Sequence, residues 1–84
     1  MENFIIEEFK ENTVSVNVFN KEKNKFESNK LPYETFEEAK EFFNVLVGAL
    51  INIKGFKKVE SFVNSDTYIE VENDIYHIQM SIIY

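Results

Sequence analysis

His77 is the only histidine in the chain, and a lone imidazole is the first place to look for general-base or metal-binding chemistry. Nothing in the sequence completes such a site around it. There is no cysteine, which excludes thiolate nucleophiles and thiolate metal ligands. No Ser-His-Asp spacing stands out, and no HExxH pattern supplies a second imidazole. Glu70 or Glu72 could share an ion with His77 across a hairpin, but an exposed cross-strand histidine is the simpler reading. Paired carboxylates of the glycosidase kind could be drawn from Glu37, Glu38, Glu41 or the hairpin acids; no pair is singled out. Gly48 and Gly55 are the only glycines, so no glycine-rich phosphate loop exists. The sequence therefore points to a non-enzyme with no catalytic residue, no metal ligand and no cofactor.

Contact is the remaining way to act, and the charges are laid out for it. The net charge is −6 and arginine is absent. Direct nucleic-acid binding is disfavoured, because affinity for phosphates comes from clustered Lys and Arg. Residues 21–30 and 54–58 are net basic. From Val59 to Tyr84 there are five acids (Glu60, Asp66, Glu70, Glu72, Asp74) and no Lys or Arg. Tyr68, Glu70, Glu72, Asp74 and His77 then form an acidic hairpin surface suited to a basic protein partner, where complementary charge speeds association and fixes register. The bland counterpart is a solvated sheet face kept soluble by charge. Tyr33, Tyr68 and Tyr84 are the aromatic residues best placed to anchor a partner.

One helix positions everything else. Thr35 followed by Glu38 is a capping-box pattern. Glu34, Glu37, Glu38 and Glu41 suit the positive end of the helix dipole, and Gly55 suits a left-handed stop after Lys54. The spacing predicts a helix over 35–55. Glu37, Lys40, Glu41, Asn44, Gly48 and Asn52 form its polar stripe, and the remaining apolar arc is wider than one docking surface needs. A helix sunk in a curved sheet would absorb that arc. Alternatively, Val45, Gly48 and Ile51 meet a second copy of the chain, making a homodimer.

Strand-like sequence flanks the helix. Residues 3–9 read as a first strand and 10–12 as a turn. Residues 13–19 alternate Val14, Val16, Val18 against Thr13, Ser15, Asn17, the strongest strand pattern present. Residues 20–25 are a charged loop. Residues 26–31 make a short edge strand whose lysines discourage edge pairing. After the helix, 56–63 is a strand with Phe56 and Phe62 on one side and Val59 and Val63 on the other. Residues 64–66 are a turn, and 67–72 a strand. Asn73-Asp74 is a two-residue hairpin turn, since both tolerate positive φ. Residues 75–84 form a long last strand. The fold class is α+β: an antiparallel sheet in β-β-β-α-β-β-β order with the long helix across one face. Thr13, Ser15, Asn17, Tyr68, Glu70, Glu72, His77, Gln79 and Ser81 populate the other, wet face.

The 84 residues fit one domain, 1–84, with a small core. The N-terminal residues have neither a basic leader nor a long apolar run, so a soluble cytoplasmic protein is expected, without membrane contact. In size, layout and the acidic stretch Tyr68-Ile69-Glu70-Val71-Glu72-Asn73-Asp74, the chain resembles the small acidic inhibitors of phages and mobile elements, anti-CRISPR proteins among them. That resemblance implies a cytoplasmic protein (host cytoplasm, if phage-encoded) that blocks a nuclease or a basic nucleic-acid-binding protein by direct contact.

Overall fold

The computed structural model describes residues 12–60 and 64–84. Its elements are β1 (Thr13–Asn20), β2 (Lys25–Pro32), α1 (Phe36–Asn52), β3 (Lys57–Lys58), β4 (Tyr68–Glu72) and β5 (Tyr76–Ile83). The strands form one five-stranded sheet, β2-β1-β5-β4-β3, with every pairing antiparallel. This is the α+β architecture the patterning implies. The strand expected over 3–9 lies outside the described residues. No described helix is long and apolar enough to cross a membrane.

Directly opposed residues of an antiparallel pair share a face, so the registers sort the side chains. Val14, Val16 and Val18 of β1 oppose Ile82, Met80 and Ile78 of β5. Ile69 and Val71 of β4 oppose Met80 and Ile78 from the other side. Val14, Ile69, Val71, Ile78, Met80 and Ile82 make the core with Ala39, Phe43 and Phe56, and half-buried Val16 and Val18 pack against it; Val14, Val71 and Met80 are sealed completely. The alternation in β1 thus aims its valines at the helix.

The helix starts where its cap dictates. Thr35 is extended (φ −129°, ψ 158°), and its Oγ1 accepts the Glu38 N–H at 3.2 Å. Residues 53–55, included in the expected helix, lie beyond it. Ile53 and Lys54 N–H both donate to the Ala49 carbonyl, and Phe56 N–H to that of Leu50. Gly55 turns the chain at φ 77°, the left-handed geometry open to glycine without strain. The helix is shallower than a sunken one: only Ala39 and Phe43 are buried, and Val45 is 63% exposed. The sheet covers one side of the arc, leaving Val45 on the outer side.

Three further expectations are corrected. The strand over 56–63 shrinks to Lys57–Lys58 among the described residues, with only Phe56 buried beside it, and Phe62 and Val63 are outside them. The hairpin between β4 and β5 does not use positive φ. Register puts Asp74-Ile75 at its centre, and Asn73 Oδ1 accepts the N–H groups of Ile75 and Tyr76 at 2.9 and 2.7 Å. Asparagine acts here through its side chain, as in an Asx turn. Finally, Thr13 and Ser15 are buried, not wet. Their short side chains sit on a central strand with neighbours on both sides.

Candidate functional site

The sheet face opposite the helix carries four of the five residues expected to form the contact surface. Tyr68, Glu70 and Glu72 lie on β4, and His77 on β5. They do not stand as separate acids. The Tyr68 hydroxyl donates to Glu70 Oε2 at 2.6 Å. His77 Nε2 lies 3.0 Å from Glu70 Oε1, and His77 Nδ1 lies 3.5 Å from Glu72 Oε1. Glu72 Oε1 also accepts from Lys21 Nζ at 3.1 Å, and Lys21 donates again to the Asn73 carbonyl at 2.8 Å. A continuous polar chain therefore runs Tyr68–Glu70–His77–Glu72–Lys21. Glu70 is much less accessible than Glu72, its side chain 16% exposed against 44%.

The electrostatics follow from these contacts. The Glu70 hydrogen bond, followed by burial and the Glu70 charge, pushes the Tyr68 hydroxyl up from 10.0 to about 12. Lys21, then His77, hold the Glu72 carboxyl below its ordinary value. Lys21 thus sets one positive charge against the hairpin's acids, at Glu72. Asp74 stands apart, exposed at the turn, where it lines an open groove of about 500 Å³ with Lys21, Lys57 and Glu72. The imidazole nitrogens address different carboxylates, so Glu70 and Glu72 do not converge on one metal position. Among the described residues no three His, Asp or Glu side chains are grouped to hold an ion.

Following the registers across the sheet reveals a row that the acidic residues alone do not. Phe26 on β2 opposes Phe19 on β1, Phe19 opposes His77, His77 opposes Glu72 and Glu72 opposes Lys57. One side chain from each strand thus forms a band, aromatic at the β2 edge and ionic at the β3 edge. Phe26 is 61% exposed, and it lines a recess of about 250 Å³ with Asn17, Phe19, His77 and Gln79. Neither Phe26 nor Lys21 was visible as a site residue in the sequence. Lys21 reaches Glu72 only through the fold. The even positions of β2 do place Phe26 on one face with Ser28 and Lys30, a pattern that a strand reading could have used.

The other expected anchors are distributed elsewhere. Tyr84 is exposed with its ring edge-on to Phe36 at 5.3 Å, and Tyr33 packs on Phe42 at 5.8 Å. Both belong to the helix side. Val45, Gly48 and Ile51 lie on α1, away from the band. An added Cβ at Gly48 would meet only Asn52 Nδ2, at 3.9 Å, so no close backbone approach within the monomer demands a glycine there. Comparison of the chain with protein-family models, curated proteins and solved structures returned no match.

Proposed function

We propose that the protein is a non-enzymatic protein-binding module that meets its partner with the open sheet face, along the band Phe26–Phe19–His77–Glu72–Lys57. The observation that carries this reading is the pairing, in one row, of a largely exposed phenylalanine with a fixed ionic network. An exposed aromatic beside a preformed recess supplies the desolvated anchor of a contact surface. The network of Tyr68, Glu70, His77, Glu72 and Lys21 holds its side chains in place before binding, which lowers the ordering cost of association. Asp74 and Glu72 give the ionic end its accessible negative groups, which favours a basic partner. Inhibition of a basic nucleic-acid-handling protein, the activity implied by the resemblance, is one form this contact would take.

The test is capture of partners from the source cell by the tagged chain, followed by quantitation with variants. Phe26→Ser and the pair Glu72→Lys with Asp74→Lys are chosen because these side chains are accessible. Glu70 is left alone, since its carboxylate holds Tyr68 and His77. Each change should leave the circular dichroism intact and reduce capture at least tenfold, with the charge reversal acting more strongly at low salt. Unchanged capture with folded variants would remove the band as the contact surface.

A second reading is association of two copies through the outer face of α1, and the exposure of Val45 favours it.

A further inference from the structure

The long edge of the sheet, β2, lends Phe26 to the contact band and has an internal logic of its own. Hydrogen-bond parity is fixed by the ladder ends. Tyr33 N–H donates to the Asn12 carbonyl at 3.0 Å, and Lys21 N–H to the Ile75 carbonyl at 2.7 Å. With the β1–β2 and β1–β5 registers and the alternation of antiparallel ladders, the odd residues of β2 bond to β1. Its even residues, Phe26, Ser28, Lys30 and Pro32, turn their backbone groups outward. Pro32 falls on an outward position, where its missing N–H costs the β1 ladder nothing. All eight residues of β2 are exposed, whereas the opposite edge, β3, has two residues. Among the described residues no strand pairs with the outer edge of β2, and a long open edge is a template for another strand.

We propose that β2 pairs with β2 of a second copy, antiparallel, about a two-fold axis at Ser28. A two-fold normal to the sheet opposes residues of the same face, so only even–even and odd–odd registers are allowed. The register centred on Ser28 runs from residue 25 to residue 31. It makes hydrogen-bonded pairs of Phe26 with Lys30 of the second copy, and of Ser28 with Ser28. The side chains agree with it. Lys30 faces the Phe26 ring of the second copy, a cation–π arrangement. Lys25 faces Leu31, and its alkyl stem can cover that exposed side chain. Glu27 faces Asn29. Centring on Glu27 or Lys30 would oppose like charges instead, which destabilises a sheet pair. The charges of this edge thus reject the registers centred on Glu27 and on Lys30 and accept this one. The resulting continuous sheet carries both contact bands on the same face.

Engineered cysteines test the register, because the native chain has none. A hydrogen-bonded antiparallel pair has Cα atoms about 5.5 Å apart, within the disulfide range of about 4.4–6.8 Å. Ser28→Cys lies on the axis and should cross-link to a dimer under mild oxidation. Lys30→Cys, on the same face, lies several residues from its own symmetry mate and should cross-link at least tenfold more slowly. Sedimentation of the unmodified chain should give a concentration-dependent dimer. A monomer at high micromolar concentration, or equal cross-linking of the two variants, overturns the proposal.

Discussion

Tyr68 and Glu72 show how the network answers to pH, with opposite signs. The neutral Tyr68 hydroxyl is favoured in the folded state, because it donates to Glu70. Its stabilising contribution is complete below pH 10.0 and is lost as pH rises towards about 12. Tyr68→Phe should therefore remove a late phenolate step from the alkaline absorbance titration, and Glu70→Gln should bring that step back towards 10.0. Persistence of the step near pH 12 in both variants would refute the hydrogen bond as its cause. For Glu72 the carboxylate is the favoured form. Its contribution is present above the ordinary carboxyl value of 4.5 and is lost as pH falls through the lower folded value. Lys21→Met should flatten the acid limb of the stability–pH curve, an effect measurable by urea midpoints and diminished by salt.

At the level of elements, what the sequence made legible follows from how local the cause is. The helix start is written in Thr35 and Glu38 because a cap is a contact three residues long. The facing of β1 is written in Val14, Val16 and Val18 because side-chain alternation has period two. The β4–β5 hairpin turns one residue later than Asn73-Asp74 and for another reason: Asn73 works through its side-chain oxygen, which a preference for positive φ does not anticipate. Lys21–Glu72 joins residues 51 apart, and no spacing rule reaches that far. The depth of α1 was also beyond local reading, since it depends on how much sheet lies beneath the helix. Two glycine substitutions separate backbone from contact here. Gly55→Ala forces φ 77° on a residue with a Cβ and should cost about 1–2 kcal/mol. Gly48→Ala meets only Asn52 Nδ2, at an ordinary contact distance of 3.9 Å, and should stabilise the helix by about 0.5–1 kcal/mol. If Gly48→Ala instead destabilises the chain in a concentration-dependent way, the outer helix face is an interface.

For the whole molecule, a core this small leaves little stability in reserve, and that bears on every contact experiment. Domains hold roughly 5–15 kcal/mol against unfolding, and one of this size sits towards the lower end. Met80 is the largest sealed side chain, opposing Val16 on β1 and Ile69 on β4 at the middle of the sheet. Truncating it removes the packing that joins both hairpins beneath α1. Met80→Ala should lower the unfolding free energy by about 2–5 kcal/mol, seen as a lower urea midpoint with an unchanged slope. The side chain lies on the helix side, whereas the band Phe26–Phe19–His77–Glu72–Lys57 faces away. Below its melting range, then, Met80→Ala should capture partners as the unmodified chain does, while Phe26→Ser should retain stability and lose capture. Loss of both properties together in either variant would mean that the two faces of the sheet are not independent.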